Sequence, residues 1–168
     1  MNVQDRLNAI IGNKQQQEEN NNNNGITKIV IADGQFFYND KKQLHNLNDK
    51  PAIILNSGSK FWHKNGLLHR DNDLPAAIYI AKDGKIAKEW YQYGQLHREG
   101  NKESPAIIDY DGSLHYYLNG KESYLCDNCR NVSKIVKRIT QSINGRGREL
   151  NLYFCQNCIN LHRIQTHL

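Results

Sequence analysis

Four cysteines carry the plainest chemistry in this chain of 168 residues: Cys126-x-x-Cys129 and Cys155-x-x-Cys158, with 25 residues between the pairs. Each pair sets two thiolates on one tight knuckle. Two knuckles complete a tetrahedral, structural Zn2+ site with no position left for water. Two disulfides would need an oxidising compartment, and residues 1–12 lack the apolar core of a secretory signal. The expected setting is therefore intracellular (cytoplasm, nucleus or virion), not secreted. A redox role for one pair leaves the other unexplained. His162, one helical turn beyond Cys158, is the only substitute ligand nearby, and four thiolates already fill the shell.

Basic side chains surround these cysteines. Residues 123–168 hold seven Lys/Arg and two Asp/Glu, whereas residues 1–122 hold 15 of each sign, so the whole net charge of +5 belongs to the final segment. Such asymmetry points to an anionic partner. Lys134, Lys137, Arg138, Arg146 and Arg148 fall between the cysteine pairs, where contacts to nucleic-acid phosphates would form. A protein partner or a solvated basic face accounts for the same residues. Nucleic acid and protein stand level as expected partners.

His45, His69 and His97 invite a catalytic or metal-binding role, yet each follows a leucine at the same place in an internal repeat. Over residues 25–122 a turn (Asp33-Gly34, Ser57-Gly58, Asp83-Gly84, Asp111-Gly112) leads to an aromatic residue (Tyr38, Trp62, Trp90, Tyr116). Gly66, Gly94 or Gly120 follows, with Lys42 in the first copy. Leu-His comes next in the first three copies, and then a Pro-Ala pair opens an apolar run at Pro51, Pro75 or Pro105. A residue present in every copy is expected to serve packing or hydrogen bonding, and an imidazole can tie a turn through both nitrogens. By the same reasoning Arg70-Asp71 and Arg98-Glu99 are expected to be local ion pairs. His63 and His115 are expected to face water.

The repeat dictates the elements. Asn65-Gly66, Asn119-Gly120 and the Asp-Gly pairs suit type I′ hairpin turns, which need positive φ at both central residues. Short strands between them give an antiparallel β meander whose copies bury one another's faces. Tyr38, Trp62, Trp90 and Tyr116 are expected to form its apolar ladder, with the isoleucines of the Pro-Ala runs beside them. Each Pro suits the start of a strand, where a missing N–H costs little.

The pattern Trp-x-x-(Asn/Tyr)-Gly-x-Leu-His-Arg-(Asp/Glu)…Pro-Ala, in residues 62–76 and 90–106, resembles the MORN-variant repeat of phages, giant DNA viruses of amoebae and some bacterial, antitoxin-like proteins. The first copy departs from it, with Lys41-Lys42 for the turn and Asn46 for the Arg. The resemblance implies a β-repeat platform with no common catalytic residue, virus-encoded or of an antitoxin, immunity or host-factor-inhibitor kind.

Ahead of the repeats, Val3, Leu7, Ile10 and Ile11 share one face of a short helix. Residues 13–24, rich in Asn, Gln and Glu, have nothing to bury and read as a linker. Beyond the repeats, residues 132–143 and 150–154 flank the turn Asn144-Gly145-Arg146-Gly147 as a hairpin between the knuckles. Ile159, Leu161, Ile164 and Leu168 suggest a terminal helix. Knuckle, hairpin and helix resemble a treble-clef finger, with a zinc ribbon the near competitor. The expected organisation is 1–24 arm, 25–122 repeats and 123–168 basic zinc finger, mainly β throughout.

No stretch approaches the roughly 20 apolar residues of a membrane helix, and neither membrane nor small-molecule substrate is expected. Treble-clef frames also house His-metal nucleases. Here His162 and His167 are the only histidines near the finger, and no paired Asp-His or His-His precedes the hairpin. The expectation is a non-enzymatic interaction protein.

Overall fold

The computed structural model describes residues 17–21, 25–99, 104–126, 129, 132–133, 137–143, 148–154 and 156–158. The expected N-terminal helix and terminal helix lie outside them. The chain divides into two units, Met1–Gly94 and Gln95–Leu168.

The first unit carries β1 (Gln17–Asn21), β2 (Ile26–Ile31), β3 (Gly34–Asn39), β4 (Ile53–Leu55), β5 (Lys60–Phe61), β6 (His63–Lys64), β7 (Leu67–Leu68), β8 (Ala77–Ile80), β9 (Ile86–Glu89) and β10 (Tyr91–Gln92). Strands β1, β2, β3, β4, β5, β8 and β9 are neighbours in that order, each antiparallel to the next. β6 and β7 leave the sheet as a separate hairpin. This is the expected antiparallel meander, in strands shorter than the sequence suggests.

Register sorts the sheet residues onto two faces. Ile29, Phe36, Ile53, Phe61 and Ala77 stand opposite one another across five strands. The last four are buried and pack with Leu44, Ala52 and Leu68, which come from segments outside the sheet. Each such Ile or Phe contributes about 1.5–3 kcal/mol by leaving water. One residue along each strand, Val30, Gln35, Ile54, Lys60 and Ile78 form the matching row on the other face, and none of them is buried.

The second unit carries β11 (Gln95–Leu96), β12 (Ile107–Ile108), β13 (Leu114–Leu118), β14 (Lys121–Leu125), β15 (Val132–Ser133), β16 (Lys137–Ile143) and β17 (Arg148–Phe154). β13 lies between β12 and β14, and β14 pairs on its other edge with β15. β16 and β17 form the expected hairpin between the cysteine pairs. β14 runs without a break from the last repeat turn through residue 122 to Cys126.

Three local expectations change. First, Gln17–Asn21, read as linker, pairs along the whole of β2's outer edge, from Gln17 opposite Val30 to Asn21 opposite Ile26. An edge of unpaired N–H and C=O groups accepts a polar strand as readily as an apolar one, and a polar strand blunts it. Second, type I′ geometry holds at Asn65-Gly66, Tyr93-Gly94 and Asn119-Gly120, where both φ are positive. At Ser57-Gly58, Asp83-Gly84 and Asp111-Gly112 only the glycine is positive, and the Gly N–H bonds three residues back. Those are type I turns closed by a glycine bulge. Third, the apolar ladder across the strands is built on Phe36, Ile53 and Phe61 rather than on the repeat aromatics. Trp62 and Trp90 are buried but sit between strands, after β5 and after β9, while Tyr38 and Tyr116 are half-buried. An indole needs a partner for its N–H, and a break between strands supplies one.

Candidate functional site

The end of β14 delivers Cys126, a turn holds Cys129, and the single helical turn Gln156–Cys158 delivers Cys158. The three sulfur atoms lie within 4.8 Å of one another. Cys126 and Cys158 are buried, and Cys129 is exposed. Tetrahedral Zn–S bonds of about 2.3 Å set the sulfurs about 3.8 Å apart, so a small closure seats an ion among them. Three converging thiols, two of them buried, suit a soft metal. Cys155, the expected fourth ligand, lies outside the described residues, as do His162 and His167.

Of the basic residues between the cysteine pairs, Lys137, Arg138 and Arg148 lie on the hairpin strands. Lys137 stands opposite Phe154, Arg138 opposite Tyr153 and Arg148 opposite Ile143. Lys134 and Arg146 lie outside the described residues.

The repeat histidines have one shared role. The Asn65 N–H donates to His45 Nδ1 at 3.2 Å, the Tyr93 N–H to His69 Nδ1 at 3.3 Å, and the Asn119 N–H to His97 Nδ1 at 3.0 Å. Each imidazole therefore receives the turn of the following repeat. Beside it, the N–H of Gly66, Gly94 or Gly120 donates to the carbonyl of Leu44, Leu68 or Leu96, 2.8 Å in every copy. Accepting at Nδ1 puts the ring proton on Nε2. In His69 that proton faces Asp71 Oδ1 at 2.9 Å, and the hydrogen bond holds the Asp71 carboxyl below the usual carboxylate range. The structural reading of these histidines stands, with the tie running between repeats.

Arg70 does not pair with Asp71. Its Nε and Nη2 donate to the two carboxylate oxygens of Asp49, at 2.9 and 2.7 Å, and the guanidinium lies 3.8 Å over the Trp62 ring. The Arg70 hydrogen bond in turn lowers the Asp49 pKa. The loop carbonyl of Asp49 accepts the Trp62 indole N–H at 2.9 Å, and that of Asp73 accepts the Trp90 indole N–H at 3.0 Å. Arg70 and Arg98 also donate to the carbonyls of Pro75 and Pro105. In the first copy Asn46 does this for Pro51. Asp49 and Asp73 act on the tryptophan of the next repeat through main-chain oxygens, and Asp49 also holds Arg70 through its carboxylate, 21 residues away.

His63 does not face water. It is 4% exposed, neither ring nitrogen has a hydrogen-bond partner among the described residues, and burial pushes its pKa down to about 4, against a smaller opposing pull from the Phe61 carbonyl. His115 is half-exposed, 3.4 Å from Asp109. Among the described residues no helix is long and apolar enough to cross a membrane. Comparison with family models, with curated proteins and with solved structures finds no match for the chain.

Proposed function

We propose that this is a non-enzymatic interaction protein: a β-repeat platform followed by a zinc-held basic hairpin, acting on a partner protein. The observation that carries this reading is the use of the recurring chemical side chains. The three repeat histidines, Arg70 and both indoles hold one repeat to the next rather than converging on a reactive centre. Zn2+ fits the cysteine cluster, with Cys126, Cys129, Cys155 and Cys158 as its four thiolates. Bound there it supplies a cross-link and closes its own shell. The MORN-variant resemblance supports a virus-encoded platform, with antitoxin, immunity or host-factor-inhibitor roles as forms of the same protein-binding activity.

Nucleic acid is the second reading, favoured by the +5 confined to residues 123–168. Two measurements test the pair. Elemental analysis of protein purified without added metal should give one equivalent of zinc; no zinc together with two intramolecular disulfides overturns the metal site. Titration of the full zinc-loaded chain with labelled RNA and DNA at two salt concentrations decides the partner. Five phosphate contacts imply a log–log slope of about −3.5 to −4.5. Undetectable binding at low salt leaves the protein partner.

A further inference from the structure

The sheet of the first unit has one packed face and one open face, and the open face has a definite composition. Across β2, β3, β4, β5, β8 and β9 its central row reads Val30, Gln35, Ile54, Lys60, Ile78, Lys88. Ile80 and Ile86 stand opposite each other beside it, and Lys28 stands opposite Phe37. Ile86 is 49% exposed, Lys60 and Lys88 are exposed, and Val30, Phe37, Ile54, Ile78 and Ile80 are only partly buried. No carboxylate shares this face from β2 to β9. The register of β1 sets Glu19 opposite Lys28. Neither Lys60 nor Lys88 makes an ion pair with a described residue.

We propose that this open face docks an acidic amphipathic helix of a partner protein; the inference rests on the interaction reading above and names its surface. Lys60 and Lys88, set among aliphatic side chains with no acid opposite them, call for carboxylates set among aliphatic side chains. Lys60 and Lys88 are two strands apart, about 10 Å. Two acidic residues seven apart on a helix are separated by a rise of about 10.5 Å on nearly the same side. A helix laid across the strands thus brings a carboxylate to each ammonium and a Leu or Ile between them onto Ile78. A second copy of this chain fits badly, because face-to-face packing sets lysine against lysine. An anionic membrane would take the ammoniums at its headgroups, and the vesicle arm of the test separates it from a helix. Nucleic acid would leave the aliphatic field facing phosphates.

The test is a selection from a display library of random helical 20-residue peptides on the full-length protein, with the doubly substituted Lys60→Glu/Lys88→Glu protein as the counter-target. Both lysines are exposed, so the variant is expected to melt with the wild type. Lys60→Gln/Lys88→Gln replaces it if it does not. Enriched peptides should carry Asp or Glu seven apart with aliphatic residues on the same side, and should lose at least tenfold in affinity on the variant. Enrichment of peptides indifferent to the two lysines overturns the surface and leaves the interaction reading intact. Failure to enrich any peptide overturns the proposal. So does retention on phosphatidylserine vesicles that the same substitutions abolish.

Discussion

The repeats and the cysteine cluster hold short strands together by opposite means. In the repeats three kinds of tie have sisters. The imidazole bond, the Leu–Gly backbone bond and the indole bond recur from copy to copy with nearly the same distances. In the cluster three sulfurs meet at one point, and no second point does the same work among the described residues. Distributed ties fail one at a time. A single convergent tie fails as a whole.

The largest expected effect therefore lies at the cluster. Structural zinc contributes roughly 10–16 kcal/mol of apparent folding energy to small modules. On the zinc proposal Cys126→Ser, at a buried cysteine, should abolish metal binding and collapse the dispersed amide signals of residues 123–168. The signals of residues 25–94 should persist. A variant that keeps both its zinc and those signals would show that the cluster is not the tie.

One step down are the tryptophans. Trp62→Ala should cost about 3–5 kcal/mol by urea unfolding, as large aromatic truncations in a core do. Trp62→Phe keeps a ring under Arg70 but orphans the Asp49 carbonyl, and should cost about 1–2 kcal/mol. Near-equal losses for the two variants would assign the effect to the hydrogen bond rather than to the buried ring.

These contrasts explain what the sequence could and could not reveal. The cysteine spacing is legible because a metal demands a fixed number of donors on short knuckles. The repeat is legible because each copy must present the same groups to the next. The indole ties to Asp49 and Asp73 are hidden because a main-chain carbonyl leaves no signature in residue type, and the Asp49–Arg70 pair because its partners are 21 residues apart. β1 is hidden because the pairing of Gln17–Asn21 comes from the edge of β2, not from its own side chains. His63 is hidden because its counterparts, Asn39, Tyr91 and Tyr117, share no chemistry with it. Its burial follows from how β6 and β7 leave the sheet.

His63 gives the next effect in size, and it depends on pH. Its folded-state pKa of about 4 lies below the ordinary 6.5, so the unfolded chain takes up the proton first as pH falls. Stability is then full above about pH 6.5 and declines toward pH 4, by about 3 kcal/mol in all. Asp49 and Asp71 have lowered pKa values, so their contributions hold above the ordinary carboxylate range and disappear only at still lower pH. His63→Leu should flatten the profile between pH 6.5 and 4.5 and leave the steeper fall beneath it. Unchanged slope in that window would mean that the folded protein hydrates or pairs this imidazole.

The smallest effect tests how far the repeated ties are independent of one another. Tyr93 occupies a turn position at φ 47°, where the sister turns carry Asn65 at 51° and Asn119 at 52°. Asparagine tolerates this conformation, and a tyrosine there gives up about 1 kcal/mol. What offsets the strain is the stack of its ring on His69, with centroids 4.3 Å apart and planes 18° from parallel. Such a pair contributes about 0.5–1.5 kcal/mol. Tyr93→Asn exchanges one for the other and should leave stability within about 0.5 kcal/mol of wild type. In the His69→Ala background the stack is already gone, although that substitution costs about 1–3 kcal/mol by orphaning the Tyr93 N–H. There Tyr93→Asn should stabilise by about 1 kcal/mol, because only the strain remains to be relieved. The coupling between the two sites, read from the four denaturation curves, should then be about 1 kcal/mol. A value near zero would mean that the ring contributes nothing through the histidine, leaving the exposed tyrosine as uncompensated strain.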